Sequence, residues 1–177
     1  MRIRNVRPGD IPILIDILQM AAETDGFVAK ELLDLEARLV NPELERAYSI
    51  FVITDDDESN EWGQGGTLEG VEGEVVGFTA VSLRENRHAY HFLCQGTVHP
   101  RYRRRNAGRA LLICALNHAR IVAAEFEFEA EEEGRPIYLE ALLPLHDPAS
   151  VNLAMKCEMQ SADESQVNGM ILYRREL

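Results

Sequence analysis

The segment Thr97 to Leu112, TVHPRYRRRNAGRALL, limits what this chain can fold into more than any other. It joins the end of an apolar, β-prone run, His88 to Val98 (HAYHFLCQGTV), to the start of the longest helical pattern, Arg105 to Val122. The helix shows one apolar face, formed by Ala107, Ala110, Leu111, Ile113, Cys114, Leu116 and Ala119. Four arginines, Arg101, Arg103, Arg104 and Arg105, crowd the junction. A helix start presents unpaired backbone N–H groups and a partial positive charge. The small or turn-tolerant residues Asn106, Ala107 and Gly108 let a ligand approach that backbone, and arginines add forked donors. Together these make a pyrophosphate site. No acid occurs between Glu85 and Glu125, so the arginines have no partner nearby in sequence. That weighs against a merely solvated arginine patch. A nucleic-acid contact is the other alternative, and the overall acidity opposes it.

The rest of the chain builds around this junction. Arg2 to Arg7 reads as a short strand, and Pro8-Gly9-Asp10 as a turn and N-cap. Ile11, Leu14, Ile15, Leu18, Ala21 and Ala22 recur at helical spacing, with Pro12 tolerated in the first turn. Leu32 to Leu39 suggests a second helix, and Glu43 to Ala47 a short third piece behind Asn41-Pro42. Tyr48 to Thr54, Glu74 to Arg84, His88 to Val98, Ile137 to Leu143 and Asn168 to Arg174 read as strands. Asp147-Pro148 caps a helix over Ala149 to Met159, and Glu125 to Glu133 either prolongs the long helix or frays from it. This order predicts one α/β domain over residues 1–177: a mixed sheet with helices on both faces.

With 177 residues, 46% of them hydrophobic, the chain can bury one substantial core. Its net charge of −12 is uneven. Fourteen of the 30 acids fall in positions 55–74 and 125–133, which contain no base, so the remainder is near neutral and can carry a local basic site. Residues 55–74 read as an exposed acidic insertion. The acidity argues against a nucleic-acid or membrane binder. The acidic segments could attract a cationic substrate, but solvated loops kept for solubility explain them better. Cys94, Cys114 and Cys157 are scattered, which predicts free buried thiols and a reducing, cytoplasmic setting. The N-terminus lacks a signal-peptide pattern, and no run approaches the length of a spanning helix. No His, Cys or Asp spacing matches a metal site, so no metal is expected.

The motif V-H-P-x-Y-R-x-R-x-x-G-R-A-L-L resembles the acyl-CoA-binding segment of the GNAT acyltransferase superfamily, whose core is Q/R-x-x-G-x-G/A. Here that core is Arg103-Arg104-Arg105-Asn106-Ala107-Gly108. Arg104 and Asn106 stand where glycines are common in the family, and Asn tolerates a positive φ. The resemblance implies a mostly antiparallel sheet of six to seven strands and acetyl-CoA as co-substrate. It places Val98, His99, Pro100, Arg103, Arg104, Arg105, Asn106, Ala107, Gly108 and Arg109 around the CoA. It also implies a bulge that splays the Val98 strand from its neighbour, and Gln95-Gly96 is the expected place.

The same resemblance implies direct transfer of the acetyl group to an amine on a small molecule or peptide, within a ternary complex. Glu140 is the candidate base, with a solvated or arginine-paired strand glutamate as the equal alternative. The family's usual general acid is a tyrosine in the pattern L-Y-E-K-L-G-F, and Ala154 occupies its position here. That departure keeps a second expectation open: a non-catalytic module that binds CoA or a partner chain. A homodimer through a sheet edge near Asn168 to Arg174 is a further expectation. The substrate slot is expected against Phe27, Val28, Leu32 and Leu35.

Overall fold

A computed structural model of the chain describes residues 1–27, 48–55, 73–167 and 169–177. The helices expected at Leu32 to Leu39 and Glu43 to Ala47, and nearly all of the acidic insertion, lie outside the described residues. Among the described residues seven strands form one sheet: β1 (Arg2–Asn5), β2 (Tyr48–Asp55), β3 (Glu74–Glu85), β4 (Tyr90–Val98), β5 (Ile137–Pro144), β6 (Gln160–Val167) and β7 (Met170–Glu176). Their spatial order is β1-β2-β3-β4-β5-β7-β6, and every pair is antiparallel except β4–β5. The helices are α1 (Ile11–Asp25), α2 (Ala107–Ala123), α3 (Glu127–Glu133) and α4 (Pro148–Lys156).

The alternating strand residues divide the core between two faces. On one face, Leu14, Ile17, Leu18 and Ala21 of α1 pack with Ile50, Val52, Phe78, Ala80 and Met170. On the other, Leu112, Ala115, Leu116 and Ala119 of α2, with Ala154 and Cys157, pack with Val81, Phe92, Cys94, Leu139 and Ala141.

Helix α1 starts with Pro12 in its first turn and ends at Gly26, whose φ of 72° closes the helix through its N–H to Ala22 O. Asp10 sits at the N-cap of α1 but makes no side-chain cap bond to that helix. Its carboxylate instead accepts from the Arg7 N–H at 2.7 Å and from both Nη atoms of Arg4 at 2.7 and 3.0 Å.

Four expectations are corrected here. Strand β7 lies between β5 and β6, so the Asn168 to Arg174 segment does not supply a sheet edge; the edges are β1 and β6. The acidic run 125–133 neither prolongs nor frays from the long helix. It forms α3, bent 73° from α2, because the chain turns to bring Phe126 against Tyr90 (ring centroids 4.6 Å apart) and Phe92 (6.2 Å). The β3–β4 register runs unbroken through Gln95-Gly96. The irregularity is in β3, where Val76 is the extra residue between the pairs Ile53–Gly77 and Thr54–Val75. Finally, Cys94 and Cys157 are buried free thiols, but Cys114 is only half-buried.

Candidate active site

Parallel pairing of β4 with β5 runs from Tyr90–Ile137 to Cys94–Ala141 and stops there. Beyond that point, among the described residues, β4 continues to Val98 paired only with β3, and β5 continues to Pro144 paired only with β7. The two strands therefore part in the middle of the sheet. The His99 N–H bonds Val76 O at 2.8 Å, so His99 faces β3; by alternation Gly96 and Val98 turn their N–H and C=O groups toward the parted side. Arg103 Nε takes the Val98 carbonyl at 3.1 Å. The N–H and C=O of Gly96 and the N–H of Val98 are left facing the gap. Gly96 itself must be glycine, since a Cβ there would stand 2.3 Å from Phe78 O and 2.7 Å from Thr79 Cα.

The gap opens into a cleft of about 720 Å³ that passes through the sheet. Leu111, Leu112, Ser150 and Leu153 line it on the α2–α4 side, and Phe27, Phe78, Leu142 and Met170 on the α1 side. At one mouth stands the start of α2. Asn106 is its N-cap and makes no side-chain cap bond. The first intrahelical bond is Ala110 N–H to Asn106 O, so the N–H groups of Ala107, Gly108 and Arg109 are without helical partners. The loop that delivers the chain there has two residues with φ of 64°, Arg104 and Asn106, both at positions where the resemblance leads one to expect glycine. The turn keeps a glycine-like path with side chains present.

Of the residues expected around CoA, Val98, Arg103, Arg104, Asn106, Ala107, Gly108 and Arg109 line the cleft, whereas His99, Pro100 and Arg105 stand beside it. Two of the arginines are neutralised by acids remote in sequence. Arg103 makes a two-pronged pair with Asp25 at 2.6 and 2.8 Å, and Arg105 pairs with the buried Asp55 at 3.2 Å. Arg104, Arg109 and Lys156 line the cleft without an ion pair among the described residues, giving its mouth a positive charge. Among the described residues no group of three His, Cys, Asp or Glu could hold a metal ion. No single described helix is long and apolar enough to cross a membrane.

The sequence model of the acetyltransferase (GNAT) family matches residues 29–138. The chain belongs to the GNAT acetyltransferase family. No curated protein matches its sequence. Solved structures with the same fold include a GNAT-family acetyltransferase from Streptococcus pneumoniae, at 14% identity over 99% of both chains with a TM-score of 0.59. PaiA N-acetyltransferase from Thermoplasma acidophilum, solved in complex with coenzyme A, is 12% identical over 99% of this chain and 98% of its own, with a TM-score of 0.61. NAA60 from Arabidopsis thaliana, solved with a bisubstrate analogue, is 13% identical over 99% and 98%, with a TM-score of 0.57. At such identities the likeness is one of fold.

In this GNAT chain Glu140 lies on β5, paired with Leu93, one residue short of where the strands part. It does not line the cleft. Its Oε1 accepts from His91 Nδ1 at 3.0 Å and from Arg174 Nε at 2.8 Å, with Arg174 Nη2 in ion-pair contact at 2.6 Å. Its Oε2 takes no donor and is not sealed, since the buried side-chain atoms without a partner are Arg4 Nε and Arg135 Nε among the described residues. The tautomer of His91 follows from its neighbours. Asn86 Oδ1 accepts from the N–H groups of His88 and Ala89, so its amide NH₂ faces His91 Nε2 at 2.9 Å, and the His91 proton sits on Nδ1 toward Glu140.

Cys94 lines the cleft where the strands part, with its Sγ 3.1 Å from Thr79 Oγ1, and burial pushes its thiol up to about 11. It is therefore a neutral thiol near pH 7 and a poor nucleophile. Ala154, at the position of the family's tyrosine, is fully buried in the α2-side core. Ser150, one turn before it, lines the cleft; it reads in sequence as a residue of the Asp147 cap and carries no signal of its own.

Proposed function

We propose that this chain, acting as one catalytic unit, transfers an acetyl group from acetyl-CoA to an amine on a small molecule or peptide, directly and within a ternary complex. The observation that carries the proposal is the cleft through the parted β4 and β5 strands, with the unpaired N–H groups of Ala107, Gly108 and Arg109 at its mouth. These amides suit a diphosphate, and Arg104, Arg109 and Lys156, without an ion pair among the described residues, suit its charge. The outward-turned backbone of Gly96 and Val98 suits the pantetheine amides and the thioester carbonyl, as an added strand would be held.

The chemistry then needs an uncharged amine facing the thioester carbonyl from the α1 side. Glu140, which stands beside the cleft, takes the proton the nitrogen gives up through its open Oε2 by way of a water. Collapse of the tetrahedral adduct breaks the C–S bond and releases the CoA thiolate, a tolerable leaving group for a thiol of pKa ~8.5. Neither Cys94, neutral and buried, nor any covalent enzyme intermediate is required.

The buried Ala154 favours a second reading, a CoA-binding module without catalysis. Two assays separate them. Acetyl-CoA at millimolar concentration should raise the melting temperature under both readings, and no shift rejects both. Release of free thiol with a panel of amines occurs only for the enzyme. Glu140→Gln should then slow the reaction at neutral pH and less so at high pH; an unchanged pH profile removes Glu140 from the mechanism.

A further inference from the structure

Ser150 is 4% exposed, lies on α4, and lines the cleft. Its N–H is taken by Asp147 O at 2.9 Å, but its hydroxyl makes no hydrogen bond among the described residues. A buried hydroxyl without a partner is costly unless something else completes it. This oxygen is not among the sealed, unpartnered atoms, which are Arg4 Nε and Arg135 Nε, so it opens on the space its residue lines.

Its place on the helix gives it a task. Residues four apart share a helix face, and a long side chain leans back over the preceding turn. A tyrosine at position 154 would thus carry its hydroxyl toward the turn that holds Ser150. Here Ala154 offers no hydroxyl and is fully buried in the α2-side core, whereas Ser150, one turn before it, lines the cleft and brings a hydroxyl to it.

Resting on the acetyl-transfer reading, we infer that Ser150 is a further catalytic residue, whose hydroxyl donates a hydrogen bond to the CoA sulfur as the C–S bond breaks. The electron pair of that bond goes to sulfur. The serine keeps its proton, being too weak an acid to surrender it to a thiolate. The amine's proton leaves by way of the base, and the thiolate departs hydrogen-bonded and is protonated in solvent. A donor aimed where charge develops stabilises the transition state more than the ground state, because a thioester sulfur is a poor acceptor and a thiolate a good one.

The test compares binding of CoA and desulfo-CoA by calorimetry at pH 7 and pH 9.5, in the wild type and in Ser150→Ala, Ser150→Thr and Ser150→Val. At pH 9.5 most free CoA is thiolate. The wild type should favour CoA over desulfo-CoA by about tenfold more at pH 9.5 than at pH 7, the lower end for a hydrogen bond to a charged group. That gain should vanish in Ser150→Ala and Ser150→Val and persist in Ser150→Thr. Thiol release by Ser150→Ala should fall about tenfold in kcat with the KM for acetyl-CoA unchanged. An undiminished gain in Ser150→Ala overturns the role of Ser150 while leaving the acetyl-CoA site intact. Failure of the wild type to bind either compound overturns the acetyl-CoA site itself, and this inference with it.

Discussion

Gly108 is the second residue of α2, and a Cβ built on it would stand 3.8 Å from Leu153 Cδ2 and 3.9 Å from Val98 Cγ2. Those are ordinary contacts, so Gly108→Ala strains nothing. In a helix, alanine in place of glycine stabilises by roughly 0.5–1 kcal/mol, mostly by restricting the unfolded chain. For a chain of this length 1 kcal/mol moves the melting temperature by about 2–4 °C, so the free variant should melt about 2 °C higher. Val98 and Leu153 both line the cleft, however, so the new methyl stands at the mouth beside the unpaired N–H groups. The motif Q/R-x-x-G-x-G/A admits alanine at this position, so the methyl should leave the phosphate contacts intact. At acetyl-CoA equal to about 100 times the Kd, ligand should stabilise the wild type and the variant alike, by about 2.7 kcal/mol. One thermal-shift experiment, with and without acetyl-CoA, therefore reads a raised baseline and an unchanged ligand-induced shift. A free variant that melts lower, or a ligand-induced shift cut by half or more, refutes the reasoning.

Gly96→Ala should destabilise by about 3 kcal/mol or more by urea unfolding, because its Cβ meets strand backbone at 2.3 and 2.7 Å and β3 and β4 must shift apart. Asp25→Asn should cost about 2–3 kcal/mol and weaken acetyl-CoA binding several-fold in calorimetry. It breaks the bond network that ties the end of α1 to Arg103, and through Arg103 to Val98. The Arg4 bonds hold the Asp10 carboxyl below its ordinary range. Its contribution is therefore full above pH ~4 and fades as pH falls through the lowered native value. Asp10→Asn should be about 1–2 kcal/mol less stable at pH 7, and the difference should close in acid; a gap independent of pH contradicts this.

Much of the architecture follows from local pattern. The strand runs of β2, β3, β4, β5 and β7 are apolar and β-prone, and α1 and α2 show clear helical faces; all formed as patterned. Strand β6, QSADESQV, has no apolar alternation to announce it. It exists by pairing along β7, a partnership invisible to a single segment. The break between α2 and α3 is set by Phe126 reaching Tyr90 and Phe92, again a tertiary cause.

In the site, the strand–loop–helix junction was legible because its residue types are needed locally. The partners of Arg103 and Arg105 were not, since Asp25 and Asp55 lie 78 and 50 positions away. Ser150 went unseen for a related reason: nothing in DPAS separates a capping serine from one turned into a cleft.

The most direct measurement of the central claim is the ¹H–¹⁵N spectrum of the protein titrated with acetyl-CoA. The amide resonances of Ala107, Gly108 and Arg109, together with those of Gly96 and Val98, should move furthest, as these N–H groups acquire acceptors. Saturable binding that leaves those five amides in place, or no binding at all, contradicts the account.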